Sequence, residues 1–215
     1  MKSLAFALAL SLVTSVSAQA QTSTVQRLTM ALDLFDYGLA QADPVLVLSA
    51  AKITAAVYVK DVTRQVETRP GATPAQDSAD PSDPQIVSAK DMFSIAYELA
   101  EGDPYLQGMI EDAASEGSRG QVGGASRTLN RLQAGYVDMV RIEFEGGTLA
   151  ELAILGDDGA NLDLRIVDAK GKTICAEQGN SDKLYCAWTP AEDGVFFAEI
   201  ENVSGSRNSY YVLTN

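Results

Sequence analysis

The sequence predicts an α+β protein: N-terminal antiparallel helical hairpins, about four helices, followed by a C-terminal antiparallel seven-strand β-sandwich. Three observations predict it. Apolar residues first recur at helical steps of three and four, then switch beyond Arg131 to alternation with period two. Asp-Pro occurs twice between helical stretches, at Asp43-Pro44 and Asp103-Pro104, where Asp suits an N-cap and Pro the first helical position. Finally, short alternating stretches separated by Gly-containing turns fill the C-terminal part.

The first residues read as an export signal. Lys2 precedes an apolar run from Leu4 to Val16, and Ala18-Gln19-Ala20 supplies small residues for cleavage between Ala20 and Gln21. The run is shorter than the roughly 20 apolar residues that span a bilayer. Residues 1–20 are therefore expected to be a signal peptide and the mature chain to be periplasmic or secreted, with no transmembrane segment.

Residues 21–118 are expected to be helical. Val25, Leu28, Leu32, Phe35 and Leu39 form one stripe, and a second helix is expected from Val45 to about Val62. Residues 68–87 hold Pro70, Pro74, Pro81 and Pro84 among small and polar residues, the composition of a disordered insert. Ser88 with Asp91 offers a capping box for a helix carrying Met92, Phe93, Ala96 and Leu99, and Asp103-Pro104 opens a fourth with Leu106, Met109, Ile110 and Ala113. Leu39 to Leu46 matches Leu99 to Leu106 at Leu, Ala, Asp, Pro and Leu. The two hairpins thus resemble degenerate tetratricopeptide-like units. They form either a packed cap or a groove that binds a peptide.

Residues 119–130, opening on Gly120, Gly123 and Gly124, are expected to be a linker, and residues 131–215 the sandwich. Strands are expected over Val137–Glu145, Leu149–Leu155, Leu162–Asp168, Lys172–Glu177, Leu184–Thr189, Gly194–Asn202 and Ser209–Thr214. Cys175 and Cys186, the only cysteines, flank a polar loop and are expected to form a disulfide stapling a hairpin. Reduction is then expected to weaken the sandwich and spare the helices. Trp188, the only tryptophan, is expected in the sandwich core rather than on a ligand platform.

Composition narrows the chemistry. The formal net charge is −13, one unit more negative without Lys2, which disfavours nucleic acid as a partner. The chain has no histidine, so histidine-based nucleophilic triads and histidine-ligated zinc are excluded. Ser49 and Lys52 make a Ser-x-x-Lys pair, without the companion elements that acyl transfer on such a pair requires. Asp157, Asp158, Asn161 and Asp163 gather hard oxygen atoms on one turn and are a candidate weak calcium site, although EF-hand spacing is absent; the alternative is a solvated acidic turn. No other cofactor is expected.

Residues Asn161 to Asp168 with Gly171, Asp193-Gly194-Val195-Phe196-Phe197, and Ser204-Gly205 leading to Tyr210-Tyr211-Val212-Leu213 are similar to the strand-and-turn segments of the bacterial pre-peptidase C-terminal domain. The resemblance implies a small β-sandwich of the kind appended to secreted hydrolases. No peptidase domain accompanies it here, so proteolysis is not implied. Taken together, the expectation is a non-catalytic exported protein whose sandwich contacts an extracellular or periplasmic protein or polysaccharide. The alternatives are a scaffold that binds a peptide along its helices and, last, a histidine-free hydrolase.

Overall fold

Each helix starts at a side chain able to cap it. The computed structural model describes residues 23–72, 87–116, 124–156 and 161–215. Ser23 Oγ accepts from the Gln26 amide at the start of α1 (Thr24–Ala40). Asp43 Oδ1 accepts from the amides of Val45 (2.8 Å) and Leu46 (3.2 Å) at the start of α2 (Pro44–Ala55). Ser88 and Asp91 form the expected capping box on α3 (Ala89–Leu99), and Asp103 Oδ1 accepts from Tyr105 and Leu106 at the start of α4 (Pro104–Glu116). Such caps satisfy amides that have no partner within the helix.

After α2 the chain departs from expectation. The second helix stops at Ala55, and two strands follow, β1 (Tyr58–Asp61) and β2 (Val66–Pro70), the latter within residues assigned partly to the insert. Val59, Val66 and Thr68 are β-branched, and pairing within the sheets holds them extended. A third strand, β3 (Gly124–Leu132), occupies most of the expected linker.

The seven expected strands are present as β4 (Tyr136–Phe144), β5 (Ala150–Gly156), β6 (Leu162–Asp168), β7 (Thr173–Glu177), β8 (Lys183–Trp188), β9 (Gly194–Asn202) and β10 (Asn208–Thr214). With β1 to β3 the described residues hold two five-stranded sheets, ordered β1-β3-β10-β5-β8 and β2-β4-β9-β6-β7. Among the described residues only the β1–β3 pairing is parallel. The count of seven was three short because β1 to β3 lack clear apolar alternation.

The elements stack as three layers around two cores. Leu152, Ile154, Leu162, Leu164, Ile166, Ile200 and Tyr210 pack between the sheets. On the other side of the first sheet, Ala125, Ala153, Leu155 and Leu213 join Leu28, Phe35, Val47, Met92 and Ile110 of the helices. The helices and the first sheet thus share one core. That sheet is covered on both faces, so β5 is buried from Ala150 to Leu155.

Two polar devices tie the β1–β2 segment to the sandwich. The Arg64 guanidinium donates to the hydroxyls of Ser126, Thr128 and Thr214 and to the carbonyls of Ser126 and Val212. Burial among these neutral groups lowers its pKa to about 10. Asp138, buried on β4, accepts from the hydroxyls of Thr68 on β2 and Tyr210 on β10.

Cys175 and Cys186 are bonded, with Cα atoms 6.1 Å apart. The bridge does not staple a hairpin. β7 pairs with β6 in one sheet and β8 with β5 in the other, so the disulfide joins the two sheets at their edges. The loop between the cysteines is long enough to cross from one layer to the next.

Candidate functional site

An open apolar surface lies in the helical layer. α1, α2 and α3 pack side by side through Val25, Leu32, Phe35, Val47, Ala50, Met92 and Ala96. α4 is attached more loosely and fully buries only Ile110. Between α3, α4 and the end of α2 lies a groove of about 620 Å³ lined by Ala55, Ala89, Phe93, Tyr97, Ile110 and Ala114, with Lys90, Ser94, Glu98 and Glu111 at its edges.

The residue pattern makes this shape. On α3, Ala89, Phe93 and Tyr97 are four apart and share a face; on α4, Ile110 and Ala114 do the same. Phe93 and Ile110 are buried and form the floor, while Tyr97 is partly exposed at the wall. Glu98 and Glu111 are exposed, one on each helix. From Val87 to Glu116 the only basic residue is Lys90, against seven carboxylates. The groove is an apolar slot in a strongly negative surface.

The residues singled out from sequence do not converge on this groove. Asp157 and Asp158 lie outside the described residues. Asn161 and Asp163 sit at the start of β6, where Asp163 accepts from the Gln178 side chain at 3.5 Å, and burial raises its pKa. Among the described residues, no group of three or more Cys, Asp or Glu side chains is placed to hold a metal ion. Ser49 donates its hydroxyl to the Val45 carbonyl one turn back (2.7 Å), and Lys52 is exposed. Trp188 packs against Phe144 and Phe196 at ring-centroid distances of 4.9 and 5.3 Å, on the edge of the inter-sheet core.

One signal could have found the groove. The hairpins match at an offset of sixty residues, and this offset pairs Gly38 with Glu98, Ala50 with Ile110 and Ala51 with Glu111. Three small residues in the first hairpin stand opposite large or charged ones in the second.

No family model matches the chain, and no curated protein sequence matches it. Among solved structures, it is similar to the pre-peptidase C-terminal domain of a collagenase from Bacillus anthracis. The two are 5% identical, and the match covers 73% of this chain and 95% of that one with a TM-score of 0.30. A likeness at that level carries no conclusion about a site. Among the described residues, no helix is long and apolar enough to cross a membrane.

Proposed function

We propose that this is an exported, non-catalytic binding protein that takes a segment of a partner polypeptide into the α3–α4 groove, with the sandwich as its platform. The groove is the observation that carries this reading. An open apolar slot between helices is a recurring way to hold a peptide or helix through apolar side chains at helical spacing. A packed bundle would have left no such surface. Export is supported by the leader-like first residues and by the disulfide, which persists in oxidising compartments. The absence of histidine and the use of the Ser49 hydroxyl on its own helix support a non-catalytic role.

Polymer binding by the sandwich has less apolar surface to work with, since one pocket of about 440 Å³ is lined mainly by Glu143, Glu145 and Asp193 beside Phe144 and Val195. The helices cover one sheet, leaving the outer face of the other. There, a cleft of about 200 Å³ is lined by Arg69, Asp163, Arg165, Gln178, Glu199 and Glu201. Its arginines are spent on Glu199, which pairs with both Arg69 and Arg165.

The experiment is selection of peptides from a displayed random library on the wild-type protein. Binding of the selected peptides is then measured by fluorescence anisotropy to wild type, to Ala114→Trp, which fills the groove, and to Arg165→Ala on the sandwich face. Loss of binding with Ala114→Trp alone is expected. Equal binding to wild type and Ala114→Trp, with loss on Arg165→Ala, would transfer the function to the sandwich.

A further inference from the structure

Deepening the groove reading, on which this inference rests, we infer that the partner segment is a basic amphipathic helix, with an apolar stripe in the groove and Lys or Arg along its flanks. The groove supplies two kinds of contact. Its floor and wall, Phe93, Ile110 and Tyr97, accept apolar side chains. Its edges carry Glu98 and Glu111 on opposite helices against one cation, Lys90 on α3, so a helix lying between them meets a carboxylate on each flank and a net negative rim. An acidic or neutral helix could use the floor but would leave both carboxylates without partners. Basic side chains can also lay their methylene stems over the apolar wall while placing the charge at the rim.

Charge argues against two other occupants. The chain's own segment 73–86 carries Asp77, Asp80 and Asp83 and no basic residue. A second copy brings the same net charge of −13. Both would meet the seven carboxylates of the α3–α4 hairpin with like charge, which is a cost rather than a gain. An anionic membrane surface is disfavoured for the same reason.

The test uses three synthetic helical peptides with one shared Leu-based apolar stripe and polar faces of Lys, Gln or Glu. Their affinities for the full protein are measured by anisotropy at low and high salt. The Lys peptide is expected to bind about tenfold more tightly than the Gln peptide, from a few partly exposed ion pairs. The Glu peptide is expected to bind most weakly, and the differences should shrink in high salt, as screening requires. In Glu98→Lys/Glu111→Lys the order of the Lys and Glu peptides should narrow or reverse, and Ala114→Trp should weaken all three. Circular dichroism of each variant confirms that it is folded.

Equal binding of the Lys and Gln peptides, both lost with Ala114→Trp, would overturn the basic partner and leave the groove reading standing. Binding of the Lys peptide that Ala114→Trp does not weaken would overturn it too, as attraction to an acidic surface at large. Failure of all three peptides to bind would overturn the groove reading itself. A concentration-dependent dimer lost with Ala114→Trp would replace the foreign helix with a second copy.

Discussion

The two helical hairpins share a turn and differ in what stands between their helices. Both close on Leu-Ala-x-x-Asp-Pro, with the residue before Asp in a left-handed conformation: Ala42 at φ 48° and Gly102 at φ 89°. Both second helices are capped by that Asp. In the first hairpin, Gly38 lets α2 come so near that an added Cβ would lie 3.0 Å from Leu46 Cβ and from Val47 Cγ2. Ala50 and Ala51 are fully buried there. In the second hairpin the same positions hold Glu98, Ile110 and Glu111. The turn is common to both, so the difference between a closed and an open hairpin lies along the helices, where Gly38, Ala50 and Ala51 give way to Glu98, Ile110 and Glu111.

The sharpest way to break that contrast is to write the open hairpin's residue into the closed one. Gly38→Glu places a carboxylate where backbone and side chains of α2 already crowd. It is expected to cost about 4 kcal/mol of stability, read by urea denaturation, because the ion must be desolvated or the hairpin pried apart. A loss under about 1 kcal/mol would show that close approach at Gly38 does not hold the first hairpin shut. The reverse change, Glu98→Gly, should leave the fold intact and reduce binding of basic peptides.

Next in size is the disulfide, which tests whether the helices stand apart from the sandwich. Cys175→Ser with Cys186→Ser is expected to cost about 3 kcal/mol, the chain-entropy value for a loop of this length. The sequence alone suggested that the helices would be spared. Because Leu28, Phe35 and Met92 share a core with Ala153 and Leu213, the helices are now expected to melt with the sandwich. Far-ultraviolet ellipticity and Trp188 fluorescence should then give one midpoint in both proteins. Two separate midpoints would show that the helical layer is independent.

How much was legible in the sequence follows from what each residue faces. The caps, the four helices and seven strands were readable because Ser, Asp and Pro act locally and the faces of β6 and β9 alternate cleanly. β3 was not, because its inward positions include Ser126 and Thr128, hydroxyls that serve Arg64 rather than an apolar core. β1 and β2 are largely exposed edge strands that depend on distant partners. The unbroken burial of β5 was written in Ala150-Glu151-Leu152-Ala153-Ile154-Leu155, a run too apolar for a strand with one wet face. The groove was the least legible feature, since it depends on the difference between two similar segments rather than on a motif.

A pH effect of intermediate size bears on the segment that leaves the first hairpin. Burial raises the Asp138 pKa above the ordinary 3.8, against the lowering effect of its hydrogen bonds from Thr68 and Tyr210. The folded state therefore holds this proton more tightly than the unfolded state. Its contribution to stability is fully present below 3.8 and is lost as pH rises through the folded value. Asp138→Asn should flatten the stability profile in the window just above 3.8, as measured by urea denaturation at a series of pH values. An unchanged profile would mean that Asp138 does not titrate abnormally in the fold.

The smallest effects are at the shared turn and separate backbone from packing. Ala42 holds a left-handed conformation that costs an L-residue on the order of 1 kcal/mol, whereas Gly102 adopts its conformation without a Cβ. Around Gly102 an added Cβ would meet nothing within 4 Å, so Gly102→Ala changes backbone energy with no steric clash. It is expected to cost about 1 kcal/mol. Ala42→Gly should gain somewhat less, about 0.5 kcal/mol, since glycine gives up more unfolded-state entropy on folding. Neither change alters the facing positions, so peptide binding to the groove should stay as it is. If Gly102→Ala abolished binding while costing no more than this in urea, the openness of the second hairpin would reside in its turn. The role given to Glu98, Ile110 and Glu111 would then be withdrawn.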